Sequence, residues 1–149
     1  MSDLDQLYQQ IILDHARERH GAGLLEAPAG VAHGESIQHN PVCGDYITLR
    51  VQLDGTVLKN VSWEGDGCSI SMASASVLSE MATGMERDQF MDILDEFREL
   101  MRSRGSKVGD EDILGDGAAF AGVSKFPARV KCAMLSWVAA EAALLAANS

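Results

Sequence analysis

The sequence predicts a small α+β domain, an antiparallel sheet of about three strands covered by about five helices, on three observations. From Tyr46 the chain alternates strictly: Ile47, Leu49, Val51 and Leu53 face one way, and Thr48, Arg50 and Gln52 the other, the period of a half-buried strand. Asp54-Gly55 follows, then a second extended stretch over residues 57–64 with Val61 and Trp63 on one face, so the pair reads as a hairpin closed by a type I′ turn. On both sides of this hairpin the apolar residues recur at helical spacing, which separates helices from strands along the chain.

Taken in order, Leu4, Leu7, Tyr8, Ile11, Ile12 and His15 share one helical face behind Ser2 or Asp3 as N-cap, giving a first helix over residues 3–17. Gly21, Gly23, Pro28 and Gly30 then open a loop with an extended piece near residues 31–38. After the hairpin, Gly65 and Gly67 interrupt the pattern just before Cys68. A helix rich in Ser71, Ala73, Ser74, Ala75 and Ser76 runs to about residue 83, small enough along one side to pack closely on the sheet, and Gly84 can end it in the left-handed conformation. A third helix over residues 87–103 carries Phe90, Leu94, Phe97 and Met101 as its apolar stripe. Residues 105–117 read as an acidic, glycine-rich loop. Ser124 is the expected cap of the last helix, with Pro127 in its first turn and an end near residue 147. No repeat or linker divides the chain, so residues 1–149 are expected to form one domain.

At 149 residues and 46% hydrophobic content, such a chain buries roughly two-thirds of its unfolded surface and needs no disulfides. Twelve basic against 22 acidic residues leave a net charge of −10, which argues against nucleic acid, whose phosphates require a clustered basic face. No apolar run has the length of a membrane span, and the first residues lack the basic and apolar regions of a signal peptide. A cytoplasmic protein without membrane contact is the expectation. Three cysteines cannot form a complete disulfide framework; in a reducing compartment they are free, metal-bound or catalytic.

Their contexts are informative. In Asn40-Pro41-Val42-Cys43-Gly44-Asp45 a turn places a thiol and a carboxyl on either side of a glycine, both ordinary zinc ligands. Turn geometry with a gap-filling cysteine explains the same residues. In Glu64-Gly65-Asp66-Gly67-Cys68-Ser69-Ile70-Ser71 a cysteine stands where a strand meets a helix N-terminus, whose amides and dipole stabilise a thiolate. A phosphate loop is the rival there, but the Lys-Ser/Thr that completes one is missing. In Lys125-Phe126-Pro127-Ala128-Arg129-Val130-Lys131-Cys132, Arg129 shares a helix face with Cys132. Arg129, and with it Lys131, would favour a thiolate and could reach an anionic partner. Taken singly, a cysteine is better read as a small buried hydrophobe, and only these contexts change that; the long separations match no finger or ribbon spacing. Of the histidines, His15 packs on the first helix or faces solvent, His20 and His33 fall in loops, and only His39, close before Cys43, is a candidate base or substitute ligand. Cys68 with His39 would suit a cysteine hydrolase, the least favoured reading.

Four motif segments in order nevertheless resemble one family. Leu7-Tyr8-Gln9-Gln10-Ile11-Ile12-Leu13-Asp14-His15, the segment around Cys43, the segment from Gly65 to Ser76, and Gly122-Val123-Ser124-Lys125-Phe126-Pro127-Ala128-Arg129-Val130-Lys131-Cys132-Ala133 are similar to the IscU-like family of iron–sulfur cluster assembly proteins. Two features resemble its zinc-binding, SufU-like branch. Lys131 stands where scaffold members carry a histidine, and residues 84–117 are long enough to hold that branch's insertion.

The resemblance implies a site in which Cys43, Asp45, Cys68 and Cys132 bind Zn²⁺, and a zinc-dependent sulfurtransferase that takes persulfide sulfur from a PLP-dependent cysteine desulfurase of the SufS type and relays it, to a downstream Suf scaffold in one version. It implies that a histidine of the partner displaces Asp45 and frees Cys43 to accept sulfur. Ligand chemistry agrees, since a carboxylate is harder than thiolate or imidazole and more readily displaced, and Cys43 beside Gly44 swings out more easily than a helix-borne cysteine. Cys68 and Cys132 are then the anchoring ligands, with Arg129 and Lys131 around the site or at the partner interface. The alternative is a scaffold that builds an iron–sulfur cluster on the same ligands, because cluster irons also take thiolates.

Overall fold

The computed structural model describes residues 3–147; Ser2, one of the two candidate caps of the first helix, lies outside the described residues. Strands β1 (Ala32–Asn40), β2 (Asp45–Asp54) and β3 (Val57–Asp66) form one antiparallel sheet in the order β1-β2-β3. Around it stand helices α1 (Asp3–Glu18), α2 (Ser69–Ala82), α3 (Arg87–Arg102), the single-turn α4 (Glu111–Leu114) and α5 (Pro127–Ala146). The expected extended piece near residues 31–38 is a full strand, paired with β2 from Ala32↔Leu53 to Asn40↔Asp45.

The alternation in β2 buries Ile47, Leu49, Val51 and Leu53, and β3 adds Leu58, Val61 and Trp63 to the same core. Helix α5 crosses β1 and β2, and α2 packs along β3 between α1 and α5. Small residues make both approaches possible: a Cβ on Gly34 would lie 1.9 Å from the Ala143 carbonyl oxygen of α5. Two buried serines of α2 bond to backbone carbonyls of their neighbours, Ser74 Oγ donating to Ala133 O at 2.6 Å and Ser79 Oγ to Val61 O at 2.6 Å, so close packing leaves these hydroxyls satisfied. The α3 stripe is buried as expected, and Phe97 stacks on Trp137 of α5 at 4.2 Å between centroids.

Three local expectations are corrected. The hairpin pairs Asp54 with Val57, so its central residues are Gly55 and Thr56, and of these only Gly55 has positive φ (60°). That is the type II′ pattern, with glycine first, rather than a type I′ turn at Asp54-Gly55. The glycine-rich stretch is not wholly loop: α4 leads into a 3₁₀ segment over Gly115–Lys125. Leu114, Ala118, Ala119, Phe120 and Val123 are buried there, and this apolar content offsets the glycines that dominate the local reading. Ser124 does not cap α5, whose N-cap is Phe126 with Pro127 at the first helical position. The Ser124 hydroxyl instead donates to Ala121 O at 2.6 Å and accepts the Gly105 N–H at 2.9 Å, pinning the loop after α3. No helix among the described residues is long and apolar enough to cross a membrane.

Candidate metal centre

Antiparallel order brings the end of β1, the start of β2 and the end of β3 to one edge of the sheet. Cys43 lies in the short β1–β2 loop, Asp45 opens β2, and Cys68 is the N-cap of α2 directly after β3. Cys132 comes to the same edge in the second turn of α5. Cys132 Sγ is 3.5 Å from Cys43 Sγ, and Cys68 Sγ is 3.9 Å from Asp45 Oδ2. Ligand atoms of Cys43, Asp45 and Cys132 all fall within 4.8 Å of one another. Tetrahedral zinc with bonds of about 2.0–2.3 Å separates its ligands by about 3.3–3.8 Å, a spacing that Cys43, Asp45 and Cys132 approach, while Cys68 lies outside that group and touches it through Asp45.

Exposure divides the thiols: Cys132 is buried, while Cys43 and Cys68 are exposed. The loop holding Cys43 is anchored by Cys43 N–H and Gly44 N–H donating to Asn40 O at 3.3 and 2.8 Å. Gly44 takes φ +73° there, and the space around it is open. Cys68 is more constrained, because its backbone N–H donates to Asp45 Oδ1 at 3.0 Å.

Asp45 is 1% exposed. Burial alone would raise its pKa, but hydrogen bonds from Ser71 Oγ (2.7 Å), the Cys132 thiol, the Cys68 N–H and Asn40 outweigh it and hold the carboxyl below its ordinary value. Cys132 moves oppositely. Burial pushes its thiol well up, and the neighbouring Asp45, Cys43 and Cys68 reinforce the shift. The Arg129 guanidinium lies over the Phe126 ring at 5.2 Å, and the groups that shift the Cys132 thiol are Asp45, Cys43 and Cys68 together with its burial. Three thiols around a buried carboxylate cannot all ionise together without a cation. The donor set therefore fits a soft or borderline divalent ion such as Zn²⁺.

A model of the NifU-like N terminal domain matches residues 7–133. The chain belongs to the NifU-like N-terminal domain family. It is 41% identical to the zinc-dependent sulfurtransferase SufU of Bacillus subtilis (strain 168), covering 94% of this chain and 90% of that protein. It is 34% identical to the iron–sulfur cluster assembly scaffold protein IscU of Streptococcus pyogenes serotype M1, over 97% and 86% of the two chains. A crystal structure of a candidate iron–sulfur cluster assembly scaffold protein for the SUF system from Fervidobacterium islandicum AW-1 superposes with a TM-score of 0.78 at 33% identity, covering 93% of this chain and 97% of that one.

Within this NifU-like fold, Arg129 and Lys131 flank the thiols on two sides. Arg129 lines a groove with Ser69 and Ile70 beside Cys68, and Lys131 lines another with Pro41 and Val42 beside Cys43. His39 is exposed and pairs with Tyr46 across the sheet. Since successive strand residues face opposite ways, buried Asn40 points into the centre and His39 away from it. Asn40 and Ser71 were not singled out from the sequence. Asn40 Nδ2 donates to Cys132 Sγ at 3.6 Å, and Ser71 Oγ also donates to Cys132 O at 3.3 Å. Both belong to the motif segments, which was the available signal. Of the glycines before Cys68, Gly67 makes room for the carboxylate, since a Cβ there would lie 2.3 Å from Asp45 Oδ1, and Gly65 makes room for the β2 backbone at Tyr46 O.

Proposed function

We propose that this chain is a zinc-dependent sulfur acceptor, with Cys43, Asp45, Cys68 and Cys132 as its metal ligands, working with a PLP-dependent cysteine desulfurase of the SufS type. The observation that carries the reading is the inequality among the thiols. Cys43 alone combines exposure with a loop position beside a positive-φ glycine, 3.5 Å from buried Cys132. The sulfurtransferase name of the 41%-identical Bacillus subtilis relative supports it.

Bound zinc keeps the cysteine sulfurs deprotonated at neutral pH while damping their nucleophilicity. Sulfur transfer is then an exchange at a persulfide. The Cys43 thiolate attacks the outer sulfur of the partner's persulfide, a new S–S bond forms on Cys43, and the partner's own S–S bond breaks to release its cysteine as thiolate. No oxidant is consumed. Asp45 is the ligand suited to withdraw, because Ser71 Oγ at 2.7 Å and the Cys68 N–H at 3.0 Å continue to stabilise its carboxylate once it is detached. Cys68 and Cys132 remain as anchors. Arg129 and Lys131 are the cations available to an approaching partner, which would contribute a histidine in place of Asp45, and Cys43 would have to leave the ion before it attacks. Relay to a downstream Suf scaffold completes the proposal.

The test is intact-mass analysis of zinc-loaded protein after incubation with desulfurase and cysteine. Wild type should gain one sulfur atom on Cys43, and Cys43→Ser should gain none while the partner still turns over. Normal sulfur acceptance by Cys43→Ser would refute the assignment. A brown protein whose cluster passes intact to an apo-acceptor would replace it with the scaffold reading, the function named for the Streptococcus pyogenes relative.

A further inference from the structure

A second group of metal-ligating side chains lies at the other end of α2. Ser71, at the cysteine centre, and Glu80 are separated by about 14 Å of helix rise, so the two groups share no residue. His15 of α1, Glu80 of α2 and Asp116 of the 3₁₀ segment bring ligand atoms within 4.8 Å of one another. His20, in the loop after α1, adds a fourth donor: its Nε2 lies 3.0 Å from Glu80 Oε2 and 2.7 Å from Glu18 Oε2. His15 Nε2 lies 2.8 Å from Asp116 Oδ2, and the two imidazole rings sit edge to face at 5.4 Å.

Four features separate this group from an ordinary acidic patch. Two of its donors are imidazoles, each presenting Nε2 to carboxylate oxygens. His15 is 5% exposed, and its Nδ1 contacts Ser76 Oγ at 2.8 Å. The same hydroxyl accepts the His20 backbone N–H at 3.0 Å. Ser76 fixes the His15 ring at its inner nitrogen, as metal-binding histidines are fixed, and the Nε2–H that Asp116 accepts is the proton an incoming ion would displace. The spacings also fit, because bonds of about 2.0–2.2 Å place adjacent ligand atoms about 2.8–3.6 Å apart. Finally, Glu18, Glu80 and Asp116 bring three carboxylates to two imidazoles in a chain of net charge −10. The cation beside them in sequence, Arg19, is turned away onto Trp63, Met72 and Gly65.

The geometry points to a second cation site, formed by His15, His20, Glu80 and Asp116 with Glu18 at its rim, for a first-row divalent transition ion. Imidazole nitrogen selects against Ca²⁺ and Mg²⁺, and the absence of sulfur among the donors distinguishes the site from the thiol centre. An ion there would tie α1, the following loop, α2 and the 3₁₀ segment together at one point. Hydrogen-bonded ion pairs with no metal affinity are the competing explanation of the same distances.

The experiment uses full-length protein with its cysteine centre already filled by zinc. Co²⁺ is added, bound cobalt and zinc are counted after dialysis, and the visible and near-ultraviolet spectra are recorded. One equivalent of Co²⁺ should bind without displacing zinc and without sulfur-to-cobalt charge transfer. Glu80→Gln and His20→Ala, both at side chains that reach solvent, should each weaken this equivalent at least tenfold while leaving the zinc content unchanged. Asp116→Asn should do the same, with circular dichroism confirming that the 3₁₀ segment still forms. Failure of Co²⁺ to bind at millimolar concentration, or a second equivalent that persists undiminished in Glu80→Gln and His20→Ala, overturns the proposal.

Discussion

Replacing Ser71 with alanine removes one oxygen that the structure uses at the centre of the thiol site. Ser71 is buried, and its Oγ donates to Asp45 Oδ2 at 2.7 Å and to Cys132 O at 3.3 Å, with Cys68 Sγ 3.6 Å away. A hydrogen bond to a charged, buried acceptor contributes about 1.5–3 kcal/mol, so metal-free Ser71→Ala should lose about that much stability. For a chain of this size the loss corresponds to about 3–12 °C in Tm. Urea denaturation at neutral pH, with metal stripped and thiols reduced, measures it. A double-mutant cycle with Asp45→Asn isolates the Ser71–Asp45 pair. The sign with pH is fixed by the direction of the Asp45 shift. Its folded-state pKa lies below the ordinary value of 3.8, so its stabilisation is fully present above that value and is lost as pH falls through the lower one. The difference between wild type and Ser71→Ala should therefore shrink on acidification through that window. A variant as stable as wild type at neutral pH, or a coupling energy of zero in the cycle, would refute the idea that Ser71 holds the carboxylate.

Other consequences follow from the same geometry. Gly67→Ala would drive a methyl to 2.3 Å from Asp45 Oδ1; displacing this ligand should cost about tenfold to a hundredfold in zinc affinity, read by competition with a chromogenic chelator. Zinc binding should stabilise the fold, because its proposed ligands come from a loop, two strand ends and a helix. At a zinc concentration about a hundredfold above Kd, linkage adds about 2.7 kcal/mol, and chelation should lower Tm by about 5–11 °C. Equal melting temperatures with and without chelator would count against the ligand set.

The fold was legible where local pattern and burial agree. The alternation of Ile47, Leu49, Val51 and Leu53 survives because one face of β2 meets helices, and the Phe90, Leu94, Phe97 and Met101 stripe survives because it meets Trp137. Residues 105–125 were less legible. Glycines and acids dominate their composition, yet Leu114, Ala118 and Phe120 are buried against the rest of the chain, and tertiary contact overrode local propensity. Ser124 resembled a cap because capping and loop-pinning draw on the same hydroxyl chemistry; the partner, Gly105 N–H, is remote in sequence.

For the site, the sequence by itself determined which residue types are available: three thiols, an Asp beside a Gly, and motif segments similar to one family. It singled out Cys43 as the mobile thiol only by its place beside Gly44, because burial and loop geometry are properties of the assembled chain. Only the tertiary structure decided that Cys132 is buried while Cys43 is exposed, that Asn40 faces the centre and His39 does not, and that Ser71 bonds to Asp45. The same holds for His15, which from sequence was a helix residue of no special role and in space joins Asp116 across the molecule. Antiparallel pairing is the physical reason. It returns three strand ends to one edge, so residues far apart in the chain converge on an arrangement that no local spacing encodes.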